Sequence, residues 1–366
     1  MSAFLDETYK YKVESLLKEI IHLNNFENQE SHILQLFNAL TKETLSYPLT
    51  EILPPFSWIC EDGTPIQFSV SLTQHTRSMI RYVTEMCNPV MSLPDRVNYT
   101  RKNIPMILEL INAEHLTSRI TKITDFLLPS SHLSSNPSLF GIWIGVQHQV
   151  NGIKNLKFYF NLMEKTTNPW SIFHEILQLL ELTHLEEDII NIERAFGRSC
   201  HPNSVGIECS SKGIEKVKLY LRVYDLSWEN IQVFIKNKKW NRFESSSRAF
   251  HEIVLNKLER IIPFSMVLCI GFSAMNRCSY DFKLEVGPQY YVKDDLGVYQ
   301  KIHDLACILK LDVKPYVQIL NIFSNGVLKK GKILYHDILG IGFNSQMEPR
   351  VNIYLRPNLS RYYNVK

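Results

Sequence analysis

The sequence contains no recognisable metal or phosphate-loop signature. His174-Glu175 and His251-Glu252 open like a zinc-protease helix, but position i+4 holds Gln178 and Leu255, so the second imidazole is missing and both read as ordinary helix-surface pairs. Asp294-Asp295 runs on into Leu296-Gly297-Val298, which is not the Asp-Asp-x-x-Asp run that carries a magnesium-bound diphosphate; a loop or helix N-terminal role suits the pair better. Gly340-x-Gly342 closes an apolar run instead of opening a helix, so it is no phosphate cradle. Charge of one sign is scarce too: the net charge is +3, too little for a global field that attracts a nucleic acid backbone. No apolar run approaches membrane-spanning length, and Met1–Lys10 lacks a signal-peptide pattern, so the expectation is a cytoplasmic protein without membrane or nucleic acid partners. The seven cysteines are odd in number and scattered without a C-x-x-C, which favours reduced thiols.

What is present is a set of alternating strands. Lys216–Tyr224 places Lys216, Lys218, Tyr220, Arg222 and Tyr224 on one face and Val217, Leu219, Leu221 and Val223 on the other. Three cations and two phenols stand in a row with no acid among them, so this face needs an anion or abundant water. The pattern recurs. Asn155–Leu162 sets Lys157, Tyr159 and Asn161 against Leu156, Phe158, Phe160 and Leu162. Tyr280–Val286 sets Asp281, Lys283 and Glu285 against Tyr280, Phe282, Leu284 and Val286, and Arg350–Arg356 sets Arg350, Asn352, Tyr354 and Arg356 against Val351, Ile353 and Leu355. The steps from Lys157 to Lys218, Lys283 and Asn352 are 61, 65 and 69 residues, the near-constant spacing of a repeat architecture.

Between these strands the sequence predicts helices. Two amphipathic ones span 6–24 and 29–45, Pro54-Pro55 stops helical structure, and a turn at Glu61–Pro65 leads into a strand at Ile66–Leu72 and an ordered Arg81–Glu85. Further helices are predicted over 103–127 (broken near Glu114–Thr117), Trp170–Leu182, Trp228–Lys236, Arg248–Ile262, Gly297–Leu309 and Lys314–Phe323. The remaining strands are Leu139–Gln149, Ser204–Cys209, Met266–Phe272 and Ile338–Phe343. Hairpins flanked by helices can form an open sheet or close into a barrel with helices outside. If helices cover the apolar faces all round, the cationic faces line a lumen. No linker composition divides the chain, so 1–366 reads as one domain with 1–46 a helical segment packed on it.

Lys and Arg bind phosphate oxygens through charge-assisted bonds, and phenol rings attract cations. Ionisation of an allylic diphosphate uses both, with cations holding the leaving group and ring faces shielding the allyl cation from water. A non-catalytic barrel that binds an anionic ligand or partner would use the same side chains.

Four stretches resemble the aromatic prenyltransferases of the dimethylallyltryptophan synthase type. They are Asp62–Ser69 with Arg81-Tyr82-x-x-Glu85, Lys157-Phe158-Tyr159, Lys216-Val217-Lys218-Leu219-Tyr220, and Arg350-x-x-x-Tyr354-x-x-Pro357, spanning roughly residues 56–360. The resemblance implies an α+β fold, an antiparallel ten-stranded barrel surrounded by helices in repeated αββα units. It implies transfer of a dimethylallyl or longer prenyl group to an indole-like acceptor, with no cofactor and no essential magnesium, in a monomer or homodimer of secondary (alkaloid) metabolism. Carried over by position, Arg81, Lys157, Lys216, Lys218 and Lys283 would hold the diphosphate, with Arg77 a rival for Arg81. Tyr159, Tyr220, Tyr291 and Tyr354 would shield the carbocation. Three positions depart from the pattern. Gln67 stands where the family has a catalytic glutamate and can accept a hydrogen bond but not a proton. Glu285 replaces a tyrosine and Arg350 another, as an acid and a base that would pair if both faced the lumen.

Overall fold

The computed structural model describes residues 8–46, 57–74, 78–88, 91–129, 141–162, 168–238, 240–274, 280–343 and 348–359. Pro54-Pro55 and Arg77 lie outside them. Five helix pairs alternate with five hairpins. Helices α1 (Tyr9–Leu23) and α2 (Glu30–Thr41) precede strands β1 (Ile66–Leu72) and β2 (Ile80–Glu85). Then come α3 (Leu93–Glu109), α4 (Thr117–Leu127), β3 (Ile142–Gln149) and β4 (Gly152–Asn161). The third unit is α5 (Pro169–Leu179), α6 (Glu186–Phe196), β5 (Cys200–Ser210) and β6 (Gly213–Val223). The fourth is α7 (Trp228–Asn237), α8 (Asn241–Ile253), β7 (Met266–Ser273) and β8 (Tyr280–Val286), and the fifth α9 (Asp295–Leu309), α10 (Lys314–Ser324), β9 (His336–Phe343) and β10 (Pro349–Leu355).

Every strand pairs antiparallel with its neighbours, and β1 pairs with β10, closing a ten-stranded barrel. The predicted fold class is therefore what the chain adopts. The apolar strand faces point outward: Val217, Leu219, Leu221 and Val223 are fully buried in the layer between barrel and helices. Ring contacts mark that layer, as where Phe234 and Trp240 meet Phe282, and Phe243 meets Phe343. With oily side chains on the outside of the sheet, period-2 alternation turns the polar face inward.

Several boundaries depart from expectation. Helix α3 starts ten residues earlier than predicted, at Leu93, because Ser92 caps it by accepting from the Asp95 amide and Pro94 fits its first turn. Helix α6 was not predicted. Helix α8 ends at Ile253 instead of running to Ile262, since Asn256 and Lys257 take positive φ angles of 55° and 59° that no helix continues through. The Asp294-Asp295 pair does sit at a helix start: Asp294 caps α9 through the Gly297 amide, and Asp295 accepts from the backbone of Leu334, Tyr335 and His336. His251 is structural, stacked at 4.3 Å on Trp228.

Candidate active site in the barrel lumen

The cationic faces converge. Lys157 Nζ lies 2.5 Å from Glu208 Oε1 and Lys218 Nζ 2.7 Å from the same oxygen. Lys216 Nζ is 2.7 Å from Asp281 Oδ2, which Lys218 also approaches at 3.8 Å. Lys283 pairs with Glu285, whose carboxylate also accepts from the Tyr354 hydroxyl at 2.5 Å. Side chains from β4, β5, β6, β8 and β10 thus meet in one interior. The counter-charges come from strands other than β6, so the row of cations without an acid is neutralised across the sheet by Glu208 and Asp281, neither of which had been assigned a role.

Burial and pairing compete at each group. Burial raises the Glu208 carboxyl, but Lys157 and Lys218 outweigh it and hold the group well below the usual carboxylate range. Asp281 and Glu285 are likewise depressed, against burial, by Lys218 and by Lys283. Burial alone would lower Lys218, yet Glu208 and Asp281 raise it above the ordinary lysine value. Lys283 is raised in the same way, against burial, by Glu285.

Arginine supplies the surplus. Arg81 donates from Nη2 to Ser71 Oγ at 2.5 Å, and its buried Nε has no partner; Arg350 Nε is likewise buried and unpartnered. Among the described residues neither guanidinium is within ion-pair distance of a carboxylate. Arg81, Arg350 and four lysines face three acids, leaving three positive charges in excess. Burial lowers the Arg81 pKa, and Arg350 lowers it further by like charge. A cavity of about 310 Å³ opens beside Arg81, bordered by Ser69, Ser71, Met79, Lys314 and Gln318.

Aromatic faces adjoin the cations. Tyr159 and Tyr220 rings lie 5.7 Å apart, and Trp143 is 6.4 Å from Tyr159. Lys157 Nζ is 5.4 Å from the Tyr159 centroid; Lys283 Nζ is 5.9 Å from those of both Tyr220 and Tyr354. Room for these side chains comes from lumenal glycines: a Cβ on Gly342 would sit 2.6 Å from Lys283 Cγ, and one on Gly206 would sit 3.2 Å from the Tyr220 ring. Gly340-x-Gly342, no phosphate loop, is where Glu285 and Lys283 lie flat against β9.

Other expected residues fall elsewhere. Tyr291 does not join the cluster; its hydroxyl bonds Ser265 at 2.6 Å at the start of β7, in the helix-side core. Arg350 does not pair with Glu285, because Lys283 and Tyr354 already hold that carboxylate. Gln67 donates from Nε2 to Asp337 Oδ2. Glu85 is at a structural site, bonded to Arg96 of α3 at 3.1 Å. Trp143 was missed, though alternation in β3 puts it on the same face as Gly145 and Gln147.

The closed ten-stranded barrel of helix-flanked hairpins is also the fold of several solved prenyltransferases. Solved structures with this fold include the apo form of the prenyltransferase PriB, at TM-score 0.77 and 15% identity over 98% of both chains. They also include 5-dimethylallyltryptophan synthase from Streptomyces coelicolor, at 0.76 and 15% over 99% of this chain and 100% of that one. A third is 6-dimethylallyltryptophan synthase from Micromonospora olivasterospora in complex with DMASPP and Trp, at 0.77 and 15% over 98% and 99%. No family model and no curated protein matches the sequence.

Proposed function

We propose that the chain is a prenyltransferase that moves a dimethylallyl, or a longer prenyl, group from its diphosphate to an electron-rich aromatic acceptor such as an indole or tryptophan derivative. The observation that carries this is the surplus of positive charge, on half-buried Arg81 and Arg350 beside the paired lysines, next to the ring faces of Tyr159, Tyr220 and Tyr354. Either feature alone has other uses. Together they suit a reaction that separates a polyanion from a carbocation.

In this reading Arg81, Arg350, Lys157, Lys216, Lys218 and Lys283 bind the diphosphate oxygens, and their charge serves where other enzymes use magnesium. The carbon–oxygen bond breaks with both electrons leaving on the diphosphate. The allyl cation rests against the tyrosine rings, which also exclude water. An electron-rich ring carbon of the acceptor attacks it, and loss of the proton from that carbon restores aromaticity. The structural likeness to the dimethylallyltryptophan synthases, at 15% identity, supports the barrel; the indole-like acceptor is what the resemblance implies. Incubation with labelled dimethylallyl diphosphate, a panel of indoles and EDTA tests the reading: labelled, alkylated indole is the expected product. No product with any indole, together with binding of unrelated polyanions, would show a binding barrel instead.

A further inference from the structure

Strands β1 and β2 part early. Their pairing covers residues 66–68 against 82–84 and stops there, three residue pairs, the shortest ladder between neighbours in the barrel. Continued in register, it would set Ser69 against Arg81 and Val70 against Ile80. Each strand keeps its other partner instead: β1 follows β10 as far as Leu72, and β2 follows β3 from Ile80 onward. Across the open seam runs a side-chain link, Arg81 Nη2 to Ser71 Oγ, and Ser71 donates on to Asn352 at 2.6 Å. The cavity of about 310 Å³ beside Arg81 lies in this seam. Its border takes Ser69, Ser71 and Arg81 from the lumenal faces of the strands. It also takes Lys314 and Gln318 from α10, which packs outside the barrel where Phe323 meets Phe68 at 5.5 Å. One cavity bordered from both sides of a sheet, at the place where its ladder is missing, crosses the wall.

We propose that this seam is a side port through which inorganic diphosphate passes between the lumen and solvent, with Lys314 and Gln318 at its outer end. The identity of the ligand rests on the proposed function; the port itself rests on strand register and the cavity. The lumen is graded along its axis. Arg81, Lys216 and Arg350 stand near the hairpin-turn ends of β2, β6 and β10, whereas Tyr159, Tyr220 and Tyr354 stand near the opposite ends of β4, β6 and β10. The seam opens at the cationic end. A diphosphate leaving there does not have to pass a prenylated product held among the tyrosines.

The lining suits an anion and its water. Ser69, Ser71 and Ser78 present hydroxyls, with Val70 and Ile319 as apolar wall between them. Two cations stand at the ends of the passage, Arg81 within and Lys314 without. Lys314 is exposed and makes no ion pair among the described residues. Asp312, the acid on the border, is exposed and turns Oδ1 to the Lys314 amide at 2.9 Å. Arg81 keeps a buried, unpartnered Nε at the inner threshold. An isoprenoid tail lodged here would bury these polar groups without partners, so the passage is not an extension of the prenyl site.

Stopped-flow binding of inorganic diphosphate to the wild type, Gln318→Trp and Lys314→Glu tests this, with Trp143, 6.4 Å from Tyr159, as the lumenal fluorophore. A port residue changes how fast a ligand comes and goes, not how tightly it is held. Gln318→Trp narrows the passage and should slow association and dissociation alike, each by about tenfold, with an unchanged Kd. Lys314→Glu should slow association and weaken its dependence on salt, because the charge that draws the anion to the outer end is reversed. Rates unaltered in both variants would overturn the inference. So would a loss of affinity in Gln318→Trp carried by faster dissociation alone, or a wild type that binds no diphosphate. Lys314 is on the surface, so that variant decides the matter even if Gln318→Trp fails to fold. Binding needs no turnover: slowed exchange in a protein that transfers no label sinks the functional reading alone, and label transfer with unaltered exchange sinks this one alone.

Discussion

Lys218 sits between two acids, 2.7 Å from Glu208 and 3.8 Å from Asp281, and each acid has a second lysine of its own. Removing Lys218 therefore leaves neither carboxylate unpaired. Lys218→Ala should keep a cooperative melt while kcat/KM for dimethylallyl diphosphate falls about 10- to 100-fold, the worth of one charge-assisted bond; unchanged kinetics would remove Lys218 from the site. Glu208 is the mirror case, because it holds the two lysines that a diphosphate would need. Glu208→Gln should bind inorganic diphosphate more tightly by calorimetry and melt lower without it, since Lys157 then loses its counter-charge and Lys218 keeps only Asp281 at 3.8 Å. The lysines and tyrosines were legible from alternation alone. Their partners were not: strand register sets Glu208 opposite Lys157 and diagonal to Lys218, and Gln67 meets Asp337 across 270 residues, neither of which local pattern encodes.

At the scale of elements, strands were read better than helices. β1 and β8 have the predicted limits, because a buried outer face and a polar inner face fix alternation residue by residue. The helices need only one apolar stripe against the barrel, which tolerates sliding ends, and α6, with Glu186, Glu187 and Asp188 in its first turn, offers Ile189, Ile192 and Phe196 as a narrow stripe that a charge-rich opening obscures. The glycines of β9 are a tighter constraint than any helix boundary. Gly342→Ala would bring a methyl 2.6 Å from Lys283 Cγ and 2.7 Å from the Phe282 carbonyl oxygen. Overpacking of this kind costs about 1–3 kcal/mol, and the variant should show a lower denaturation midpoint and weaker diphosphate binding; a wild-type midpoint would mean that β9 yields freely.

For the whole molecule, the β1–β10 pairing ties the first hairpin to the last, so no hairpin can leave without opening the barrel. We propose that residues 1–366 form one domain, which predicts a single melting transition by both circular dichroism and tyrosine fluorescence; two separated transitions would divide it. Acid should act on that transition with a definite sign. Glu208, Asp281 and Glu285 are held below their ordinary values of about 4, so the stability from their ion pairs is complete above that pH and is lost as pH falls through the depressed values. Melting temperature should thus fall steeply below about pH 4, and a flat profile there would contradict the pairing. The same closure gathers the lysines, arginines and tyrosines of separate hairpins in one interior. The most direct test is a crystal structure with the unreactive dimethylallyl thiolodiphosphate. The account predicts phosphate oxygens within hydrogen-bond reach of Arg81 and Lys218, with the dimethylallyl group among Tyr159, Tyr220 and Tyr354; an analogue bound only outside the barrel, with the lumen unchanged, would contradict it.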